Sequence, residues 1–143
     1  KASRFFADAA YVYLLADRLE HARNAYEMAA TTIEPSGNGE AKRIRLAAME
    51  EFEHYGNVCA EDADRLRARY STQETTVYDG GLGWLGISIS RSEPSFVTKE
   101  GFLGMARNAY SHALFFAKKA GEDTFSLMSK SRSITHELGN IRI

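Results

Sequence analysis

Two stretches of the chain, Ala22-Arg-Asn-Ala-Tyr26 and Ala106-Arg-Asn-Ala-Tyr110, have the same sequence. Each is followed by two residues and then a further alanine, at Ala29 and at Ala113. In an α-helix, residues three and four positions apart share one face, so each copy forms a ridge of alanine, tyrosine and alanine. The small residues let a second helix approach closely while the ring fills the space beside them. The pattern therefore predicts helix–helix packing and requires no chemistry.

The two copies begin 84 residues apart, a separation that would hold two repeats of 42 residues. Self-similarity at such a period is typical of solenoids built from helical hairpins. We therefore predict an all-α fold of antiparallel helix hairpins that forms a single domain over residues 1–143. Because the chain opens at Lys1 and stops inside a predicted helix, we expect it to be a fragment of a longer array or a processed form.

Apolar residues at spacings of three and four predict the individual helices. Such stripes run through residues 6–16, 19–29, 40–60, 100–120 and 123–143. The breaks between them contain proline or glycine, as at Pro35–Gly39. Residues 77–98 are predicted to be an irregular link with several glycines and Pro94, in which either a short hairpin or a loop entering a short helix fits the sequence.

The composition excludes several functional classes. The chain has 18 basic and 19 acidic residues and a formal net charge of -1, without the basic surplus of a nucleic-acid-binding protein. The longest apolar run, Ala9–Ala16, has eight residues and is far short of the roughly 20 that span a bilayer. The single cysteine, Cys59, excludes an intrachain disulfide framework and fits a reducing compartment, so we expect a cytoplasmic protein without a signal peptide.

These features resemble the tetratricopeptide repeat family. Its first helix carries a large residue, then a Leu-Gly-like pair and an aromatic residue three positions later, and its second helix carries the alanine–aromatic–alanine ridge. Repeat one matches at Phe6, Ala9, Ala10 and Tyr13, then Ala22, Tyr26 and Ala29. Repeat two matches at Phe52, Tyr55, Gly56 and Cys59, with Ala68 opening its second helix. Repeat three matches at Leu85, Gly86 and Ile89, then Ala106, Tyr110 and Ala113.

The stretch from Ala113 to Asp123, leading to Leu138-Gly-Asn-Ile141, is similar to the longer-helix variety of these repeats in kinesin light chains and spindle-orientation adaptors. Leu138–Ile141 resembles the start of a fourth repeat. The resemblance implies a right-handed α-solenoid of about three repeats plus a partial fourth.

The resemblance also implies a groove for a protein or peptide partner, lined by the first helices of the repeats. In the family, an asparagine directly after the Leu-Gly-like pair faces this groove and holds a peptide backbone; Asn57 and Asn140 occupy that place here. An amide both donates and accepts hydrogen bonds, which suits backbone recognition. By helical geometry, five further residues are expected on the same side: Arg4, Tyr11, Glu50, Glu53 and His136.

Two sequence patterns carry alternative interpretations. Gly81, Gly83 and Gly86 have the spacing of a dinucleotide-binding fingerprint, but that motif needs a helix after its last glycine, and here a strand-prone segment and Pro94 follow. We interpret the glycines as a turn. The pair Glu51-x-x-His54 has the spacing used in di-iron bundles, which need a second such pair that this sequence lacks.

We therefore expect no cofactor or metal, and the place of Cys59 on an apolar stripe predicts a small core residue instead of a nucleophile. The leading hypothesis is a non-catalytic adaptor that binds a peptide or helix of a larger assembly. The second is a structural subunit that uses its convex or end surfaces, with self-association also expected because ends of repeat arrays expose apolar surface. The third is a small ligand- or nucleotide-binding domain at Gly80–Gly86.

Overall fold

A computed structural model describes residues 2–37, 39–79 and 98–142, with side chains at 2–37, 39–66 and 98–141. The described residues form five α-helices and no strand: α1 (Ala2–Leu15), α2 (Leu19–Ile33), α3 (Glu40–Asp79), α4 (Lys99–Ala120) and α5 (Phe125–Arg142), with a short 3-10 helix at Glu34–Ser36. The helices pack against one another, which confirms the predicted all-α class.

Capping residues and glycines in a left-handed conformation mark the ends of several helices. The predicted break at Pro35–Gly39 is confirmed, because α2 gives way to the 3-10 turn and Gly37 adopts a left-handed φ of 66°. Thr98 caps α4 by accepting a hydrogen bond from the Gly101 amide at 3.0 Å. Gly121 ends α4 with a φ of 76°, after which a short turn leads into α5.

Helices α1 and α2 form an antiparallel pair. At one end the Ser3 hydroxyl donates to the carbonyl of Ala29 at 2.9 Å, and at the other the rings of Tyr13 and His21 lie 5.2 Å apart. Between them Ala10 and Ala22 are fully buried. The predicted first hairpin is therefore present, and small residues line its interface.

Helices α3 and α4 form a second antiparallel pair and share the most extensive interface in the fold. Phe52 contacts His112 and Phe116, with ring centroids 5.1 and 6.0 Å apart, and five residues further along α3 Asn57 contacts Tyr110. Residue numbers therefore increase along α3 in the direction in which they decrease along α4, so the two helices are antiparallel.

An aromatic cluster of Tyr26, Phe52 and Phe116 joins α2 to the second pair. The three centroids lie 6.0–6.1 Å apart, with Tyr26 edge-on to the other two rings. Burial, with a smaller contribution from the negative charge of Glu51, raises the pKa of the Tyr26 hydroxyl to about 12. Through this cluster α2, α3 and α4 share one core.

Both copies of the repeated pentapeptide pack as the sequence predicts. All six ridge residues are buried: Ala22, Tyr26 and Ala29 on α2, and Ala106, Tyr110 and Ala113 on α4. Helices α2 and α4 run in the same direction. Glu20 contacts His112, and seven residues further along both helices Glu27 contacts Lys119. The copies therefore occupy equivalent, neighbouring helices.

The predicted second repeat is wrong in its helix boundaries. Ala68 was expected to open a new helix, yet α3 continues without a break from Glu40 to Asp79. The sequence offers no proline or glycine between Gly56 and Asp79 to end the helix, so the backbone hydrogen bonding simply continues. The helix that pairs with α3, at Phe52 and Asn57, is α4.

Some of the predictions concern residues that lie partly or wholly outside the described ranges. Of the predicted irregular link at 77–98, residues 77–79 are the last of α3 and residue 98 caps α4, while the remainder lies outside the described residues. The first helix of repeat three and the ligand-binding hypothesis at Gly80–Gly86 also fall there. The segment at Leu138–Ile141 lies within α5, in agreement with the helix predicted over 123–143, and its assignment to a fourth repeat stays a prediction. The solenoid arrangement stays a prediction.

We predict that Gly56→Ala lowers the free energy of unfolding. A β-carbon at Gly56 would stand 2.6 Å from Cε1 of Tyr110, closer than side chains pack. Overpacking of this kind costs about 1–3 kcal/mol, which exceeds the gain of ~1 kcal/mol that alanine brings to a helix interior. Urea denaturation followed by circular dichroism measures the change.

Gly104→Ala is the matched control, because Gly104 also lies inside a helix but a β-carbon there meets nothing within 4 Å. This variant is expected to raise the free energy of unfolding by up to ~1 kcal/mol. Equal gains for both substitutions would contradict the close approach of α3 to Tyr110.

Candidate partner-binding groove

A groove runs between α1 and α3. Helix α1 packs on α2 and hardly contacts α3, which leaves the facing sides of α1 and α3 open to solvent. The groove has a volume of about 380 Å³, and α4 closes its floor with Phe102 and Met105. This volume lies near the lower end of the ~300–1,000 Å³ of small-molecule sites and is large enough for a few side chains.

A hydrogen bond fixes one end of the groove. The Tyr55 hydroxyl donates to Oδ1 of Asp17 at 2.6 Å, linking α3 to the turn between α1 and α2. Asp17 has a left-handed φ of 62°, a conformation that aspartate tolerates better than most residues. Burial and then this hydrogen bond raise the pKa of Tyr55, so its hydroxyl remains a donor at neutral pH.

The walls of the groove carry exposed apolar side chains. Leu15 is 68% exposed, Tyr11 48% and Val58 41%, and these three lie with the buried Leu14 and Cys59 along the same groove. Single exposed apolar residues are ordinary, whereas several around one concavity mark a surface suited to binding.

Carboxylates accompany the apolar side chains. Asp17, Glu51 and Asp62 line the groove, and among the described residues that line it there is no lysine or arginine. Asp62 also accepts a hydrogen bond from the Arg65 guanidinium at 3.1 Å. The groove is therefore acidic as well as apolar.

Of the predicted binding residues, only Tyr11 is among those that line this groove, and Arg4 and Glu50 are exposed outside its lining. Tyr11 lines it, and Arg4 lies seven residues earlier on the same face of α1. Glu50 is exposed on α3, directly before the groove residue Glu51.

Glu53 and Asn57 are engaged within the fold instead. The Lys130 ammonium of α5 donates to Oε2 of Glu53 at 2.6 Å and to Oδ1 of Asn57 at 3.3 Å, and the Tyr110 hydroxyl donates to the same Oδ1 at 2.7 Å. Burial, followed by the charge of Glu53, raises the pKa of Tyr110 to about 12. These contacts join α3, α4 and α5, so the Asn57 carbonyl oxygen already has two donors.

The remaining two predicted residues, His136 and Asn140, lie on α5. They are four residues apart on one exposed face, and neither lines the α1–α3 groove. The predicted residues therefore do not form one site. Tyr11 lines the groove, Glu53 and Asn57 contact Lys130 of α5, and His136 and Asn140 are exposed on α5.

The groove offers little for covalent chemistry. Cys59 is buried as predicted, and burial raises the pKa of its thiol to about 11, so the thiol is protonated at neutral pH. Glu51 and His54 both line the groove. Within the part of the chain that the structure describes, no three His, Cys, Asp or Glu side chains group closely enough to hold a metal ion.

A second cavity of about 510 Å³ lies between α2 and α4 and is lined by His112. This histidine is 6% exposed, with Nδ1 3.5 Å from the Arg23 guanidinium and Nε2 3.8 Å from the Glu20 carboxylate. Phe52 of α3 packs against its ring. Burial lowers the pKa of His112, Glu20 opposes this shift and Arg23 adds to it.

Sequence reasoning missed several of the residues that shape these sites. Leu15, Val58 and Asp62 form the groove but match no motif; their signal is only that they lie on the stripes of α1 and α3 that also carry Tyr11 and His54. His112 was overlooked because it lies beside the repeated ridge and not within it.

In comparisons with family models, curated proteins and solved structures, the chain matches none. The resemblance to tetratricopeptide repeats thus remains a prediction from the sequence. In the described segments, none of the helices combines the length and apolar character needed to cross a bilayer.

We predict that stability falls as the pH drops below neutrality, in part through His112. The unfolded histidine binds a proton near its ordinary pKa of ~6.5, whereas the folded one stays neutral to lower pH. The contribution of His112 to the free energy of unfolding is complete above the pKa that the histidine has in the unfolded chain. It is lost as the pH falls through the lower pKa that the histidine has in the folded chain. Urea denaturation at about pH 7.5 and pH 5.5 measures the difference.

His112→Gln is expected to reduce this pH dependence, whatever its cost at the higher pH, because glutamine does not titrate. His21→Gln, which removes an exposed histidine, is the control and should leave the dependence as in the wild type. The assignment to His112 fails if both variants lose stability with pH as steeply as the unmodified chain.

Proposed function

We propose that this chain is a non-catalytic scaffold that binds a peptide or helix of another protein in the α1–α3 groove. The observation that carries the proposal is the grouping of exposed Tyr11, Leu15 and Val58 around one concavity. A bound segment would remove these side chains from water, at a gain of about 25 cal/mol per Å² of apolar surface. Grouped apolar side chains that are exposed on a protein surface commonly mark an interaction site.

The groove's construction favours a polypeptide over a small ligand. Side chains of two helices line it from opposite sides, and carboxylates alternate with apolar side chains along α3, at Glu51, Val58 and Asp62. A helix or extended peptide presents successive side chains to such a surface.

A second candidate function uses the outer face of α1. Phe5 is 69% exposed and Val12 62%, and the two lie seven residues apart on one side of the helix. They support a structural subunit that docks through its end surface, to another protein or to a second copy. Because neither Phe5 nor Val12 lines the groove, the two functions can be distinguished by mutation.

The test compares proteins that co-purify with the intact chain and with two variants. Leu15→Ser with Val58→Ser removes apolar surface from the groove, and Phe5→Ser with Val12→Ser removes it from the outer face. Each large apolar side chain that leaves water on binding contributes about 1.5–3 kcal/mol, so the groove variant should bind its partner at least about tenfold more weakly. Quantitative mass spectrometry of the eluates measures the loss.

The outer-face variant is the matched control and should retain the partner, provided that circular dichroism shows equal helix content for all three proteins. If the outer-face variant loses the partner and the groove variant keeps it, the structural-subunit function replaces the groove proposal. Equal retention by both variants contradicts both functions.

A further inference from the structure

The α1–α3 groove combines apolar contact surface with negative charge, and this combination defines the segment that it can accept. Leu15 and Val58 supply exposed apolar surface from opposite walls. Asp17, Glu51 and Asp62 lie along the same groove, without a lysine or arginine among its described lining residues. A purely apolar segment would leave these carboxylates partly desolvated and unpaired, which opposes binding.

The carboxylates remain able to accept a partner's cation. Asp17 receives the Tyr55 hydroxyl on one oxygen, and a carboxylate has a second oxygen for a further donor. Asp62 pairs with Arg65, but that arginine side chain is 67% exposed. Exposed pairs of this kind contribute only about 0–1 kcal/mol, so a cation on the partner can replace the arginine at little cost.

The carboxylates are spread along the groove. Asp17 lies just beyond the end of α1, whereas Glu51 and Asp62 are 11 residues, or roughly 16 Å, apart along α3. A bound segment can therefore place basic residues beside more than one of them, next to the apolar residues that contact Leu15 and Val58.

We propose that the groove binds a basic amphipathic peptide segment, in which one or two apolar side chains pack on Leu15 and Val58 and neighbouring lysine or arginine side chains pair with the carboxylates of Asp17, Glu51 and Asp62. This inference rests on the proposed function and adds the chemistry of the partner. Burial of the apolar side chains supplies affinity, while the carboxylates select the charge of the segment and speed its association.

The experiment selects binders from a displayed library of short random peptides on the intact, immobilised chain. Selected peptides are then measured against two charge variants by fluorescence anisotropy. Glu51→Lys with Asp62→Lys reverses the groove charge, and Asp64→Lys with Glu122→Lys makes the same change in net charge at exposed sites outside the groove. The Leu15→Ser, Val58→Ser variant reports whether a peptide uses the groove.

The expected peptides carry lysine or arginine beside apolar residues. They should bind at least about tenfold more weakly to the Glu51→Lys, Asp62→Lys variant and almost normally to the control, with affinity that falls as salt rises. Selected peptides that need Leu15 and Val58 but show no enrichment in lysine or arginine overturn this inference and leave the proposed function standing. If no selected peptide needs Leu15 and Val58, both the proposed function and this inference are wrong.

Discussion

The close approach of α3 to α4 is the constraint on which the rest of the structure depends. Gly56 lets the ring of Tyr110 lie where a β-carbon would otherwise stand, and the fully buried alanines Ala106 and Ala113 flatten the facing side of α4. Because the ring lies so close to α3, its hydroxyl reaches Oδ1 of Asn57. Lys130 of α5 donates to the same oxygen at 3.3 Å, so the fifth helix also contacts this junction of α3 and α4.

Helix α2 is held to this central pair by rings inside and by charges at the edge. Tyr26 packs edge-on to the rings of α3 and α4, while Glu27 pairs with both Arg45 and Lys119. The Arg45 guanidinium contacts both carboxylate oxygens of Glu27, at 3.1 and 3.2 Å, and its side chain is only 11% exposed. Such a bidentate, half-buried pair orients helices more strictly than an exposed one. Helix α1 is attached mainly through α2, and its few contacts with α3 leave the groove between them.

The sequence was sufficient for the helices and for the ridge that packs them, because both depend on local periodicity. Ala22, Tyr26 and their counterparts on α4 are buried as the spacing required. The sequence did not predict how the helices are connected. A repeated pentapeptide indicates that two helices pack alike, but it does not indicate how many helices lie between them. The uninterrupted α3 shows the difference: the family pattern suggested a turn before Ala68, whereas no residue there terminates a helix.

The candidate site was predicted least well, and Asn57 explains why. A residue at the place of a peptide-binding asparagine can serve a partner only if its own fold leaves the amide free, and that depends on contacts distant in sequence. Here the oxygen of Asn57 receives donors from residues 53 and 73 positions away, Tyr110 and Lys130. A partner seeking that oxygen would have to displace one of them. Leu15 and Val58 are exposed and need no such displacement, and at Asp62 only the exposed Arg65 would have to move. Recognition by apolar contact and charge therefore suits this groove better than recognition by an amide.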